Sequence, residues 1–151
     1  MRGDRDGVYG DVLPIVAFML VALSYVLTRV FGAGIWMALL AMIALAIPSV
    51  AIEAIVPSWV LWGRAYYLLA LAAAAASVIL LRRRRDSAAP AMALAACTFF
   101  LAFAMRSLDS PICSLVPLGT HFLWHLLDAA FVFQLAQLVA LHGWAEGRAS
   151  R

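Results

Sequence analysis

The sequence contains no lysine and few charges of any kind. Only 13% of its 151 residues are charged, against about 25% in soluble domains, while 66% are hydrophobic and the mean hydropathy is +0.98. A water-soluble domain of this size could not bury so much apolar surface. The composition therefore excludes a soluble globular domain and predicts an integral membrane protein.

Further absences narrow the class. The two cysteines do not form a CxxC pair, and the chain has neither an internal repeat nor the alternating pattern of barrel strands. The positive charge comes from arginine alone, with a run at 82–85. Because neither interleaved aromatic residues nor a polar domain accompanies this run, we expect no nucleic-acid partner. A juxtamembrane loop that fixes topology is favoured over a specific lipid site.

Five apolar segments are each close to the about 20 residues that a helix needs to cross a bilayer. Helices are expected because lipid cannot satisfy an open backbone. The sequence therefore predicts an all-α integral membrane protein with one transmembrane domain over 1–151. Its five transmembrane helices are expected at about 12–30, 35–56, 59–81, 89–105 and 117–142.

The arginines predict the orientation of these helices. More of them lie on the side of the 82–85 run, so the C-terminus is expected in the cytoplasm. Asp11, Glu53, Asp109, His121 and His125 would then lie together near the opposite, non-cytoplasmic face. Ionisable groups are costly in a membrane and are by default candidates for function.

The stretch GTHFLWHLL, residues 119–127, holds two histidines four residues apart. His121 and His125 therefore share one face of the fifth helix and can bind one metal ion from the same side. Asp128 could be a further ligand or an acceptor for an imidazole N–H. A hydrogen-bonded structural pair is the alternative, and spacing alone does not decide between them. His142 lies about 25 Å farther along the helix and cannot join the pair.

The surrounding motif resembles a known family. RSLDSPICSLVPLGTHFLWHLLDA is similar to the last-helix signature of the alkaline ceramidases, which belong to a superfamily of seven-helix membrane hydrolases that includes the progestin and adiponectin receptor-like proteins. The matching residues are Asp109, Cys113, His121, Trp124 and His125. Asp109 and Cys113 would belong to a structural loop before the last helix.

A second motif, YGDVLPI, resembles the start of the family's third helix and places Asp11 on its functional aspartate. The five helices would then be the last five of seven. The family's Ser-x-x-x-His helix, which carries a third zinc histidine, has no counterpart here. A truncated chain is favoured over a short member of the family, and Asp128 could partly replace the third ligand.

The resemblance implies zinc-dependent hydrolysis of the amide bond of ceramide or a related membrane lipid. His121 and His125 would bind Zn²⁺, and Asp11 would act as the catalytic acid and base. A receptor-like or haemolysin-like member of the superfamily and a non-catalytic protein with a structural histidine pair are the alternatives. The arginine-rich and alanine-rich composition suggests a bacterial inner membrane.

Overall fold

A computed structural model of the protein describes residues 19–57, 60, 67–112 and 119–142. In these ranges the secondary structure is helical, as predicted. The five helices are α1 (Met19–Phe31), α2 (Ile35–Ile55), α3 (Tyr67–Arg83), α4 (Ala89–Ile112) and α5 (His121–His142). Two of them, α4 and α5, are long and apolar enough to cross a membrane. By length and composition these two helices are compatible with a membrane location.

Glycine and proline set the limits of α1 and α2. Gly32 follows α1 with φ +66°, a left-handed conformation that glycine adopts at little cost. After Gly34, α2 runs to Ile55, and Pro57 follows two residues later. The residue before a proline is pushed out of the helical region, which agrees with the extended conformation of Val56. The predicted range of 35–56 is correct to within one residue.

The turn between α3 and α4 is a Schellman motif. The N–H of Asp86 donates to the carbonyl of Leu81 at 3.0 Å, and the N–H of Arg85 donates to the carbonyl of Arg82 at 3.0 Å. Arg85 takes the left-handed position with φ +53°. Glycine is the usual residue there, because a side chain at this φ is strained. The turn thereby places Asp86 just before the start of α4.

The fourth helix is longer than predicted. The apolar run ends near residue 105, but α4 continues to Ile112 and includes Arg106 and Asp109. The prediction that Asp109 lies in a loop is therefore wrong. A helix can continue past the end of an apolar run and carry charged residues there. Arg106 and Asp109 are spaced i, i+3 on one face, with Nη1 and Oδ2 3.9 Å apart.

The buried core joins α1, α3, α4 and α5. Phe99 of α4 stacks on Phe131 of α5, with ring centroids 5.0 Å apart, and Tyr25 of α1 is fully buried in the same cluster. Helix α2 lies at the edge, where Ala38 is the one fully buried residue among its described side chains and Trp36 is 77% exposed. So much exposed apolar surface is typical of contact with lipid or a partner.

One arginine connects three parts of the bundle at the end where α1 and α5 finish. Arg29 binds Asp86 through two hydrogen bonds, Nε to Oδ2 at 2.9 Å and Nη2 to Oδ1 at 2.8 Å. Its third nitrogen, Nη1, donates to the carbonyl of His142 at 2.7 Å. The guanidinium also lies 5.4 Å from the ring centroid of Tyr25. Arg29 thus holds together α1, the α3–α4 turn and the last residue of α5.

Asp86 is well satisfied in this arrangement. Its carboxylate is 11% exposed and also accepts the N–H of Ala88 at 2.9 Å, just before α4 begins. Burial acts to raise the pKa of Asp86, but the hydrogen bonds from Arg29 and Ala88 outweigh it and the pKa is lowered. The carboxylate is therefore held in its charged form beside the guanidinium.

We predict that Arg29→Met destabilises the protein by about 1–3 kcal/mol, because it leaves the Asp86 carboxylate without its charged partner. The measurement is thermal unfolding of the purified protein in detergent, followed by circular dichroism. Arg83→Met is the matched control, since Arg83 is exposed in the last turn of α3. Equal losses in the two variants would contradict the structural role of Arg29.

Candidate metal site

The two histidines of α5 lie on consecutive turns and face each other. Their Nε2 atoms are 3.2 Å apart, and their rings meet edge to face with centroids 4.7 Å apart. Two imidazole nitrogens bound to one tetrahedral zinc ion at 2.0–2.1 Å would be separated by about 3.3 Å. The spacing between His121 and His125 therefore fits two ligands of one metal ion without a change of backbone.

Trp124 packs against both histidines. Its ring centroid is 4.3 Å from that of His125 and 5.4 Å from that of His121, and its side chain is buried. On α4, the guanidinium of Arg106 lies 5.3 Å from the Trp124 ring centroid. The indole therefore restricts the rotamers of both imidazoles and links them to the neighbouring helix.

Asp109 caps the start of α5 from the end of α4. Its Oδ1 accepts the N–H of Thr120 at 2.8 Å, and the carboxylate also accepts the backbone N–H of His121. The hydroxyl of Thr120 donates to the carbonyl of Met105 at 2.7 Å. Backbone N–H groups at a helix start have no partner within the helix, so α4 supplies the acceptors that α5 lacks.

The same carboxylate lies beside one of the candidate ligands. Asp109 Oδ2 is 3.9 Å from His121 Nδ1, the ring nitrogen that does not face His125. In metal sites the second nitrogen of a ligating histidine commonly donates to a carboxylate, although 3.9 Å exceeds the about 2.7–3.2 Å of a hydrogen bond. Asp109 is thus close enough to favour the orientation in which His121 presents Nε2.

Asp128 follows the pair on α5 but is not brought into it. Its Oδ1 is buried, with no hydrogen-bond partner among the described residues, and its carboxylate is within electrostatic range of His125. It lies about 10 Å along the helix axis from His121, too far for a short side chain to share one metal ion with both histidines. Within the described ranges no three histidine, cysteine, aspartate or glutamate side chains are arranged to hold one metal ion.

Two of the predicted site residues lie outside the described ranges. These are Asp11 and Cys113. Their roles stay as predictions. The identity of the third metal ligand and of the acid/base group also stays a prediction.

Sequence reasoning missed two residues of this site, Arg106 and Thr120. Thr120 had a recognisable signal, since a threonine directly before an apolar helical run is a common N-cap. Its carbonyl accepts the N–H groups of Leu123 and Trp124, as the first turn of a helix requires. Arg106 had none, because its contact with Trp124 depends on how α4 and α5 pack.

Comparisons of the chain with protein-family models, with curated protein sequences and with solved structures gave no match. The resemblance to the alkaline ceramidases therefore depends on the two motifs quoted above.

We predict that Asp109→Ala destabilises the protein by about 1 kcal/mol, the usual cost of a lost helix cap. Asp109→Asn should lose less, because its amide oxygen still accepts a backbone N–H. Thermal unfolding in detergent measures both. Thr98→Ala is the matched control on α4, since its exposed hydroxyl donates only to its own helix at Leu94. An effect of Asp109→Ala no larger than that of the control would contradict the capping role.

Proposed function

We propose that this protein is a membrane-embedded hydrolase that cleaves the amide bond of ceramide or a related lipid with the help of zinc. The observation that carries the proposal is the 3.2 Å separation of the His121 and His125 Nε2 atoms. The resemblance of the two motifs to alkaline ceramidases supplies the reaction class. Neither observation would suffice alone, because paired histidines occur in many kinds of protein.

The membrane setting is part of the proposal. All five helices would cross the bilayer, with the histidine pair at one end and the Arg29 network at the other. In support, these two groups lie at opposite ends of α5, about 30 Å apart, which is close to the thickness of the hydrocarbon layer. The positive-inside rule then favours a cytoplasmic C-terminus and a site near the non-cytoplasmic face, in a bacterial inner membrane.

The residues present fit two positions of a zinc site. His121 and His125 would hold the ion, and Asp109 would orient the imidazole of His121. A zinc ion there would polarise an amide carbonyl and make water easier to deprotonate. Asp11 would accept the proton from the attacking water and deliver it to the leaving amine nitrogen. The third ligand would come from outside the described residues.

The surface beside the pair suits a lipid. Two neighbouring side chains on α5, Phe122 and Leu126, are 50% and 64% exposed. In a bilayer these apolar groups would contact acyl chains, so an amide that reached the histidines from this side would carry hydrocarbon next to it. A water-soluble amide would gain nothing from that surface. The exposed side chains therefore favour a lipid substrate.

A structural pair without metal is the second candidate, and the same distance supports it. One neutral imidazole can donate from Nε2 to the Nε2 of the other, and 3.2 Å is within hydrogen-bond range. Such a pair would stabilise α5 locally and need no third partner. Metal analysis separates the two candidates.

We predict about one zinc ion per chain in protein purified without a histidine tag, measured by inductively coupled plasma mass spectrometry. The double variant His121→Ala/His125→Ala should lose the zinc, because both of its described ligands are gone. His142→Ala is the matched control, since it removes an imidazole at the far end of the same helix. Equal zinc content in wild type and the double variant would contradict the assignment of His121 and His125 as zinc ligands.

We also predict hydrolysis of a long-chain ceramide, followed as release of the free sphingoid amine by mass spectrometry. The His121→Ala/His125→Ala variant should fall by at least about 100-fold, and Asp11→Asn by about 10²–10⁴-fold, the usual contribution of a general acid or base. The His142→Ala variant should keep wild-type activity. If zinc is bound but no lipid amide is cleaved, the metal site stands and the hydrolase function does not.

A further inference from the structure

An open groove lies at the end of the bundle opposite the histidine pair. It has a volume of about 430 Å³ and is lined by Arg29, Arg84, Arg85, Asp86 and Ser87. Ligand sites commonly fall between about 300 and 1,000 Å³, so a small polar group fits here. Nothing in the proposed hydrolase chemistry uses these residues.

The groove keeps an excess of positive charge. Three arginines and one aspartate line it. The charge of the aspartate is already balanced by that of Arg29, which donates two hydrogen bonds to it. The structure describes no carboxylate paired with Arg84 or Arg85, and both side chains are exposed. Two guanidinium groups are therefore available to an anion, and guanidinium matches the geometry of phosphate oxygens better than an ammonium group does.

The backbone at the groove adds to this preference. The turn leads directly into the N-terminus of α4, which carries partial positive charge, and the hydroxyl of Ser87 can donate a hydrogen bond. The C-terminus of α3 has the opposite polarity, but Arg82 and Arg83 in its last turn offset it. The Schellman turn and the Arg29–Asp86 pair hold these groups in one arrangement.

We propose that this groove binds a phosphate group, with Arg84 and Arg85 as the recognising side chains and Ser87 as a further donor. Arg29 and Asp86 hold the turn in position and stay paired with each other when the ligand binds. The second half of the arginine run lines the groove, whereas the first half does not. An unspecific attraction of the whole run to negative charge would not make that distinction.

Two sources could present such a phosphate, the headgroup of an anionic phospholipid or a soluble phosphate compound. The full chain, purified in detergent, is titrated with phosphatidylglycerol, and bound lipid is counted by native mass spectrometry. Inorganic phosphate is then added as a competitor. Displacement of the lipid at millimolar phosphate identifies the phosphate group itself as sufficient, whereas retention of the lipid assigns the site to a membrane headgroup. Either result supports the proposal.

Two double variants with the same change in net charge test the site. Arg84→Gln/Arg85→Gly should weaken phosphatidylglycerol binding at least tenfold, whereas Arg82→Gln/Arg83→Gln should weaken it less than threefold. Glycine is chosen at position 85 because its φ of +53° favours glycine, so the fold is expected to survive. Thermal unfolding confirms that before binding is compared.

Equal weakening in the two double variants would overturn the proposal, because it would mean diffuse attraction to the arginine run. Wild-type binding in Arg84→Gln/Arg85→Gly would overturn it as well. The zinc content of all these variants should equal that of wild type, since the groove is about 30 Å from the histidines. Loss of phosphate binding would therefore leave the proposed hydrolase function untouched, and loss of zinc would leave the groove untouched.

Discussion

The bidentate pair between Arg29 and Asp86 determines how the helices of this protein meet at one end. A buried carboxylate is costly without a partner, and a guanidinium near the end of an apolar helix is costly as well. Each charge therefore offsets the cost of burying the other, and Nη1 of Arg29 donates to the carbonyl of His142. The pair fixes α1, the α3–α4 turn and α5 relative to one another, and the apolar core between them follows.

At the other end of α5 a second carboxylate performs a different task. Asp109 accepts two backbone N–H groups that open α5, and it lies beside the first histidine. Hydrogen bonds from the backbone are rigid partners, because they move only if the helix moves. The position of His121 is thus determined by α4, and the rotamers of both imidazoles by the buried Trp124. Two imidazoles on consecutive turns can face each other only if both the position of the helix and the side-chain rotamers are fixed.

Much of this could be predicted from the sequence, and the errors have physical causes. Gly34 and Pro57 flank α2, so the sequence predicts both ends of this helix to within one residue. The spacing of His121 and His125 predicts a shared face, which their Nε2 distance confirms. Hydropathy predicts too early an end for α4, because it reports where the apolar run stops, whereas the helix continues as long as its backbone hydrogen bonds do. The partner of Arg29 lies 57 residues away, and no local pattern indicates such a contact.

The cap that joins α4 to α5 has a consequence for which changes of sequence the histidine pair tolerates. The hydrogen bonds between the two helices run from donors at Thr120 and His121 to acceptors at Met105 and Asp109. Each of these bonds joins a position in α4 to one at the start of α5. Replacing the Asp109 carboxylate or shifting the Met105 carbonyl would therefore move the first imidazole relative to α4. The histidine pair is thus expected to constrain the sequence of α4 as well as that of its own helix.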